Sequence, residues 1–358
     1  MGLLLPFDHA ERELNAKLKP QLHLIHASLK LNKEVTATNV AILKTLLDDI
    51  CNQMKQKDPL FDLLFNRLEY TGSYYDGLRT KKADEFDINL VLNLPFKKDE
   101  FTRERQGVLF ECPNPSTCSM PSAVLWLRVH ARSAQDIEAL SKVSDGCPGY
   151  VCYNVSQAAE HRLLRKGDMK WVPLLLKWID AEKRLVPDRV KRWLQSVFDR
   201  FLRTYIVPSG SCSSVDKIQP SQHGPAKTFY IILKNGLQID VDLVPVIEFC
   251  YPSWPEGIQK KDWMANMFSK DRNWFLIPKP PTPNSHLWRL HFPNIEKKLI
   301  KDYGCVKPII RLLKAMRDSY KWNLSSYSLK TFVMSQLVEN YDAQYWHPDN
   351  QGMLFVRV

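Results

Sequence analysis

The stretch EFDINLVLNL at residues 85–94 decides the fold of this 358-residue chain. Its apolar positions alternate with the other residues, and a period of two is typical of a β-strand. Because alternate side chains point to the same face of a strand, Glu85 and Asp87 are expected to lie on one face. Neighbouring carboxylates repel each other unless a cation lies between them, which is how proteins hold Mg²⁺ against nucleotide phosphates. The pattern leaves a second interpretation open, an exposed acid pair at a strand edge.

A second acidic strand is predicted over residues 237–248, paired with a strand at 228–233. The sequence Asn235-Gly236 between them is typical of a two-residue hairpin loop. Asp240 and Asp242 share one face of the second strand. If this strand lies beside the first, one of the two aspartates joins Glu85 and Asp87. Three carboxylates can hold two metal ions that clamp a triphosphate for attack by a hydroxyl, and the third acid could orient or deprotonate that hydroxyl.

A glycine-serine pair, Gly72-Ser73, precedes the acidic strand and suits phosphate binding. Glycine lets the backbone approach the phosphates, while the serine hydroxyl and nearby N–H groups donate hydrogen bonds. Such pairs are also common in ordinary turns. The pair therefore supports a nucleotide site only together with the acids.

The composition is that of a globular protein with a polyanionic partner. The chain is 44% hydrophobic and 25% charged, which excludes a disordered chain, and its net charge is +11 with a pI of about 9.1. The eight cysteines include no Cys-x-x-Cys pair, so free thiols in a reducing cytosol are expected. No apolar run is long enough to span a membrane, and we expect a cytoplasmic protein without stable membrane insertion.

The pattern along the chain predicts a mixture of helices and strands. Apolar residues at spacings of three and four indicate a long helix at about 36–56, a spine for the molecule. Helices are predicted over 155–205, a loop over 208–226, strands joined by irregular turns over 111–150, and a helical lobe over 293–346. We expect a core lobe at 1–292 and a C-terminal helical lobe at 293–358.

Positive charge is concentrated in one helical stretch. Residues 162–203 contain twelve Lys or Arg against five acids. Such clustering is what a groove for a nucleic-acid backbone requires, although a solvated helix face is the alternative. The predicted nucleic-acid contacts in this stretch are Arg162, Arg165, Lys166, Lys170, Lys183, Arg184, Arg189 and Arg192. No aromatic-rich surface accompanies them, so recognition by shape is expected, as with A-form RNA.

An ordered series of short motifs resembles the nucleotidyltransferase core of cyclic GMP-AMP synthase over residues 36–346. In chain order the motifs are Gly72-Ser73-Tyr74-Tyr75, Glu85-Phe86-Asp87, Val241-Asp242-Leu243, Ser253-Trp254-Pro255, Trp288-Arg289-Leu290, Asn294-Ile295-Glu296-Lys297 and Ser325-Ser326-Tyr327. The chain is identified as a member of the cyclic GMP-AMP synthase-like receptors of animals. The resemblance implies an α+β, bilobal nucleotidyltransferase fold. Its N-terminal lobe has a long spine helix and a mixed β-sheet, its C-terminal lobe is helical, and the active site lies in the cleft.

The resemblance also implies roles for individual residues. Glu85, Asp87 and Asp242 take the catalytic, metal-binding positions, and Asp242 is preferred over Asp240 because the spacing from Val241-Asp242 to Glu248 matches the family. The implied phosphate contacts are Gly72, Ser73, Lys314 and Ser326. Tyr327 would stack on a purine base, and Arg289 would bind the other nucleotide near its base. Two Mg²⁺ or Mn²⁺ ions are the implied cofactors.

One departure from the family concerns the segment 303–308. The vertebrate enzyme has a zinc-binding insert there that grips DNA, whereas this chain has only Cys305 and runs from one helix to the next. No zinc is therefore expected. Family members without the insert include sensors of double-stranded RNA, which we expect as the activating ligand here. A dimer or higher assembly on nucleic acid is compatible with the sequence.

The implied function is innate immune sensing in antiviral defence. Nucleic acid would activate synthesis of a cyclic dinucleotide of the cyclic GMP-AMP type from ATP and GTP. Two alternatives stay open: a catalytically silent nucleotide-binding scaffold, and a nucleotidyltransferase that forms linear oligonucleotides. The sequence leaves the phosphodiester linkage, the minimum ligand length and the oligomeric state open.

Overall fold

The structure is a computed structural model with side chains, and part of the chain is described. The described residues are 7–80, 82, 84–95, 149–155, 157–165, 170–208, 210, 213–221, 227–251, 253–255, 264 and 267–358. The region 111–148, in which strands and irregular turns are predicted, lies outside them. The same holds for Lys166 and for the side chain of Arg162.

Helices and one sheet are interleaved along the chain. The helices are α1 (His9–Ser28), α2 (Lys33–Lys57), α3 (Pro59–Leu64), α4 (Gly72–Tyr75), α5 (Gln157–Arg165), α6 (Val172–Leu176), α7 (Pro187–Leu202), α8 (Pro293–Lys301), α9 (Val306–Tyr320), α10 (Ser326–Glu339) and α11 (Gln351–Arg357). The strands are β1 (Phe65–Thr71), β2 (Glu85–Leu92), β3 (Tyr150–Cys152), β4 (Val215–Pro220), β5 (Lys227–Leu233), β6 (Gln238–Phe249), β7 (Trp274–Ile277) and β8 (Leu287–His291). The predicted α+β class is confirmed.

The predicted spine helix is confirmed as α2, which begins three residues earlier than the apolar period indicates. The side chain of Asn32 caps this helix by accepting hydrogen bonds from the N–H groups of Glu34 and Val35, at 3.0 and 3.1 Å. The apolar stripe of α2, with Leu43, Leu46 and others, is buried. A polar cap, and not the apolar stripe, therefore sets the start of the helix.

Strand β6 is the centre of the sheet. The described strands follow the order β1-β2-β6-β7-β8-β3, with β5 paired to β6 and β4 paired to β5. The β2–β6 pair is parallel, whereas β5 and β7 run antiparallel to β6. Because β6 is long, it pairs with β2 along one edge and with β5 and then β7 along the other.

The β5–β6 hairpin is confirmed, with a loop one residue longer than predicted. The N–H of Leu233 donates to the carbonyl of Leu237 at 2.8 Å, which leaves three loop residues that end at Gly236. Gly236 has a φ of +82°, a left-handed conformation that favours glycine and is typical of three-residue hairpin loops.

The predicted loop at 208–226 is wrong in part, because β4 lies within it. Among the described strands it pairs with β5 alone, and most of its side chains are exposed. The alternation that marks a half-buried strand is therefore missing from its sequence.

Two large apolar clusters form the core. In one, helices α2 and α7 pack with β2, β5 and β6 through residues such as Leu46, Phe198 and Phe86. The other joins β7 and β8 to helices α8, α9 and α10 and runs through Leu290, Phe292 and Ile295. The second cluster is continuous across the predicted domain boundary at 292/293, and this boundary stays a prediction.

The buried acid Glu248 on β6 forms an ion pair with the partly exposed Arg67. Glu248 accepts two hydrogen bonds from the guanidinium of Arg67, at 2.8 and 2.9 Å, and one from the amide of Asn273 at 2.9 Å. Arg67 lies on β1, so its side chain reaches across β2 to β6. The pair therefore ties together three strands of the sheet.

Candidate active site

The parallel register of β2 and β6 places the predicted acids side by side. Glu85 is opposite Asp240, and Asp87 is opposite Asp242. Alternation sends these four side chains to one face of the sheet. Asp87 and Asp242 are half-buried, whereas Glu85 is exposed. The structure thus brings together the three residues predicted to bind metal.

The acids on this face of β2 and β6 repel one another. Burial and, after it, the neighbouring Asp242 and Glu85 raise the pKa of Asp87, which reaches about 6 although the cation of Arg79 lowers it. Burial also raises the pKa of Asp240, with Glu85 and Asp84 adding to the effect. A set of oxygen donors with excess negative charge has the chemistry that Mg²⁺ requires.

In this conformation two of the acids have partners within the protein. The guanidinium of Arg79 donates to Glu85 and, at 2.6 Å, to Asp84. The hydroxyl of Thr228 donates to Asp242. Accordingly, no three His, Cys, Asp or Glu side chains converge on a metal-binding point within the described part of the chain. The donor types and the register fit a divalent cation, and Arg79 bonds to one of the two carboxylate oxygens of Glu85.

The turn at Gly72 contacts the central acid. Gly72 has a φ of +80°, and a Cβ built on it would lie 1.9 Å from Oδ2 of Asp87. Only glycine can hold this close approach in this conformation. Hydrogen bonds within the turn join the N–H of Asp76 to the carbonyl of Gly72 at 3.0 Å and the N–H of Leu78 to that of Ser73 at 2.7 Å. The predicted phosphate contacts Gly72 and Ser73 therefore lie directly beside the acids.

A second group of predicted residues gathers around α10. The guanidinium of Arg289 lies over the ring of Tyr327 at 4.9 Å, a cation–π contact. The hydroxyl of Tyr327 donates to Glu296 at 3.0 Å, and the hydroxyl of Ser326 accepts from Arg317 at 2.9 Å. Arg289 on β8 and Tyr327 on α10 are therefore in contact, and the place where these two side chains meet is called the aromatic pocket below.

Lys314 connects this group to the turn. Its side chain is buried, with 4% of the residue exposed, and its ammonium donates to the carbonyl of Leu78 at 3.0 Å. Burial and, after it, the cations of Arg79 and Arg317 lower its pKa to about 8. An ammonium has three N–H donors, so the bond to Leu78 leaves Lys314 with donors for a phosphate oxygen.

Some of the predicted nucleic-acid contacts have partners within the protein and some are exposed, and Lys183 is both. Lys183 pairs with Glu160 at 2.6 Å, and Arg184 pairs with Asp180 at 2.8 Å. Arg189 donates to the backbone carbonyls of Lys177 and Ile179, at 3.0 and 2.8 Å. The described cations that lie exposed among the predicted contacts are Arg165, Lys170, Lys183 and Arg192. Arg184 and Arg189 thus serve the folding of the 177–189 segment.

A profile of the Mab-21 protein nucleotidyltransferase domain matches residues 74–302. The chain belongs to this family. The matched region includes Glu85, Asp87, Asp242 and Arg289. Gly72 and Ser73 precede it, and Lys314, Ser326 and Tyr327 follow it. The Mab-21 match therefore shows a nucleotidyltransferase domain around the acids.

Curated relatives of this Mab-21 family member carry one recurring name. The chain is 28% identical to the cyclic GMP-AMP synthase-like receptor of Aethina tumida over 324 residues, which cover 88% of this chain and 69% of the relative. It is 27% identical to that of Tribolium castaneum, with coverage of 89% and 72%. For that of Microplitis demolitor the identity is 26%, with coverage of 88% and 52%. The resemblance to cyclic GMP-AMP synthase-like receptors is confirmed.

Three residues that bond within the candidate site carry no motif in the sequence. They are Asp76, Arg79 and Lys330, which bond to groups of the turn, the acids or the helical cluster. Lys330 lies three residues after Tyr327 on one helix, a spacing that places both side chains on one face. That spacing is the one signal that could have indicated Lys330.

Among the described helices, none combines the length and the apolar character needed to cross a membrane.

Proposed function

We propose that this protein synthesises a cyclic dinucleotide from ATP and GTP by metal-dependent nucleotidyl transfer, in response to double-stranded RNA. The observation that supports it is the pairing of Asp87 with Asp242 across β2 and β6, with the Gly72 turn against the Asp87 carboxylate. The acids and the turn proposed to bind phosphate are thus in contact. The names of the relatives agree with this chemistry.

The proposed reaction assigns a task to each side chain. Glu85, Asp87 and Asp242 would hold two Mg²⁺ or Mn²⁺ ions, which when bound stabilise charge on the reacting phosphate. Gly72, Ser73, Lys314 and Ser326 would orient the triphosphate, and Arg289 and Tyr327 would hold the bases. Asp242 would accept the proton of the attacking hydroxyl.

The proposed reaction has two steps, and each step joins a hydroxyl to an α-phosphate. The oxygen of a 2′- or 3′-hydroxyl forms a bond to the α-phosphorus of the other nucleotide, while the bond from that phosphorus to the bridging oxygen breaks. Pyrophosphate leaves with its electron pair. A second round on the linear intermediate closes the ring and releases a second pyrophosphate.

Helices α2 and α7 supply the proposed RNA surface. Both pack on the same cluster with β2, β5 and β6, so their outer sides face away from the sheet. Exposed cations on them and beside them include Lys33, Lys44, Lys170, Arg192 and Arg203. Contacts of this kind bind phosphates and read shape.

The decisive experiment incubates the protein with ATP, GTP and Mg²⁺ or Mn²⁺, and with double-stranded RNA, double-stranded DNA or no nucleic acid. Mass spectrometry and linkage-specific nucleases identify the product. We expect a cyclic dinucleotide with RNA and none from the Glu85→Gln, Asp87→Asn double variant, which should still bind RNA. Stimulation by double-stranded DNA alone would refute the proposal that double-stranded RNA is the activator. Linear products would favour an oligonucleotide-forming transferase, and nucleotide binding without any product would favour a silent scaffold.

A further inference from the structure

A buried ion network connects the aromatic pocket to the Gly72 turn. The ammonium of Lys330 donates to Oδ2 of Asp76 at 2.6 Å and to Oε2 of Glu296 at 2.8 Å. The side chains are 8%, 9% and 1% exposed for Lys330, Asp76 and Glu296. One lysine therefore joins two acids that are far apart in the chain and shielded from water.

Each end of this network continues to a different part of the site. At one end, Glu296 accepts from the hydroxyl of Tyr327, whose ring contacts Arg289. At the other end, the N–H of Asp76 donates to the carbonyl of Gly72, which lies against the Asp87 carboxylate. A continuous series of contacts thus runs from the aromatic pocket to the acids.

The energetics indicate that the network does more than stabilise the fold. Burial lowers the pKa of Lys330, but Glu296 and Asp76 raise it more, so the amine stays charged. Taking three charges out of water costs several kcal/mol, and apolar side chains of similar size often stabilise a protein as well as a buried ion pair does. Directed ionic hydrogen bonds instead fix the distance and angle between the groups they join.

A third cation supports the same turn from α9. Arg311 donates to the carbonyl of Gly77 at 2.9 Å through Nε, and it contacts the ring nitrogen of His26 at 3.0 Å. Together with Lys314 and Lys330, it makes the position of the segment 76–78 depend on the C-terminal helices. The turn is therefore held from the helical side by three cations.

We propose that Lys330 and Asp76 are positioning residues that couple occupancy of the Arg289–Tyr327 pocket to the placement of the Gly72 turn and the Asp87 carboxylate. A base stacked on Tyr327 would fix the hydroxyl and hence Glu296, Lys330 and Asp76. This inference rests on the proposed function, because it takes the pocket as a base site and Asp87 as a metal ligand. Neither positioning residue touches substrate or metal.

Two charge-conserving variants test the coupling. Asp76→Glu and Lys330→Arg keep every charge near the acids but change the length or shape of the link. We measure Mn²⁺ binding by electron paramagnetic resonance with ATP present, and ATP binding by calorimetry in EDTA. Coupling predicts that Mn²⁺ binding in the presence of ATP weakens about tenfold in each variant, while metal-free ATP binding changes less than twofold. If product forms, kcat falls while KM for ATP stays within twofold.

A matched control changes an acid on the same lobe that has no link to the turn. Asp302→Glu lies just after α8, where Asp302 pairs with Lys298 at 3.4 Å and is 52% exposed. This variant should match the wild type in both measurements. Wild-type Mn²⁺ binding in Asp76→Glu and Lys330→Arg would overturn the proposal, as would an equal loss of metal-free ATP binding, which a merely structural role predicts.

A measurement on the wild-type protein keeps the proposal testable if the variants fail to fold. Adenosine has no phosphates and therefore cannot contact Gly72-Ser73 through them. In EDTA, saturating adenosine should slow amide hydrogen exchange several-fold at residues 76–78. Unchanged exchange, or no adenosine binding, would overturn the coupling. Coupling without any product under all nucleic-acid conditions would refute the proposed synthesis and leave the coupling standing.

Discussion

Two groups of acids differ in what neutralises them: the crowded acids Glu85, Asp87 and Asp242, and the buried acids Glu248 and Glu296. Glu248 is held by Arg67 and Asn273, and Glu296 is held by Lys330 and Tyr327. Asp87 instead lies beside Asp242 and Glu85, and burial together with these two acids raises its pKa more than the cation of Arg79 lowers it.

This difference separates acids that support the fold from acids suited to chemistry. A carboxylate with a complete set of donors lowers the free energy of the folded state, and its removal leaves an unpaired partner. A crowded carboxylate does the opposite until a cation binds. The comparison can be tested by neutralising acids of each group one at a time.

The largest expected effect is the loss of activity when one of the crowded acids is neutralised. Asp87→Asn and Asp242→Asn should lower product formation about 10³-fold or more, because loss of a metal ligand removes several kcal/mol of charge stabilisation from the transition state. The measurement is the rate of cyclic dinucleotide formation with RNA. The matched control is Asp240→Asn, two residues along the same face, which should keep activity within about tenfold. Equal losses at Asp240 and Asp242 would remove the distinction between them.

The next effect is on stability in the interior. Glu248→Gln should lower the free energy of unfolding by about 2 kcal/mol, because Arg67 loses its buried ionic partner but keeps Glu69 and is partly reached by solvent. Urea unfolding in EDTA measures it. Asp302→Asn, which removes an exposed acid, provides the control and should change the free energy by less than about 0.5 kcal/mol. An unchanged free energy of unfolding in Glu248→Gln would contradict the view that the buried acids support the fold.

A smaller effect of the opposite sign is expected for Asp87 itself. Its folded pKa of about 6 lies above the ordinary value of 3.8, so the folded state binds the proton more tightly. In EDTA the wild type should therefore lose up to about 2 kcal/mol of stability as the pH rises from about 4 to 6. Asp87→Asn should lack this loss and be more stable at pH 7. Unfolding curves of both proteins across this range check it, and a stability that rises with pH only in the wild type would contradict it.

The smallest effect extends the comparison to cations. Lys170→Glu and Arg192→Glu should each weaken binding of double-stranded RNA several-fold and reduce the salt dependence of binding by about one ion. Arg184→Ala should instead lower stability by about 1 kcal/mol, since Arg184 pairs with Asp180. Fluorescence anisotropy at several salt concentrations and thermal unfolding separate the outcomes. RNA binding that is insensitive to both Glu variants would place the RNA surface elsewhere.

Local pattern was sufficient for the elements that carry the acids. The alternation in β2, the Asn235-Gly236 hairpin and the apolar period of α2 each depend on neighbours within one element, and each is confirmed. Strand β4 was not predictable, because an edge strand with exposed side chains has no alternation to detect. Helix α1 is not among the predicted helices, and it packs against α11, a contact between segments that are far apart in the sequence.

The sequence by itself determined that Glu85 and Asp87 share a face, because the strand period is a property of the local backbone. It also determined the family, through motifs in a fixed order. Only the tertiary structure decided that Asp242 lies opposite Asp87, that Arg79 neutralises Glu85, and that Lys330 bonds to Asp76 across 254 residues of sequence. Such partners are chosen by burial and by the pairing of charges away from water, and neither is encoded in spacing along the chain.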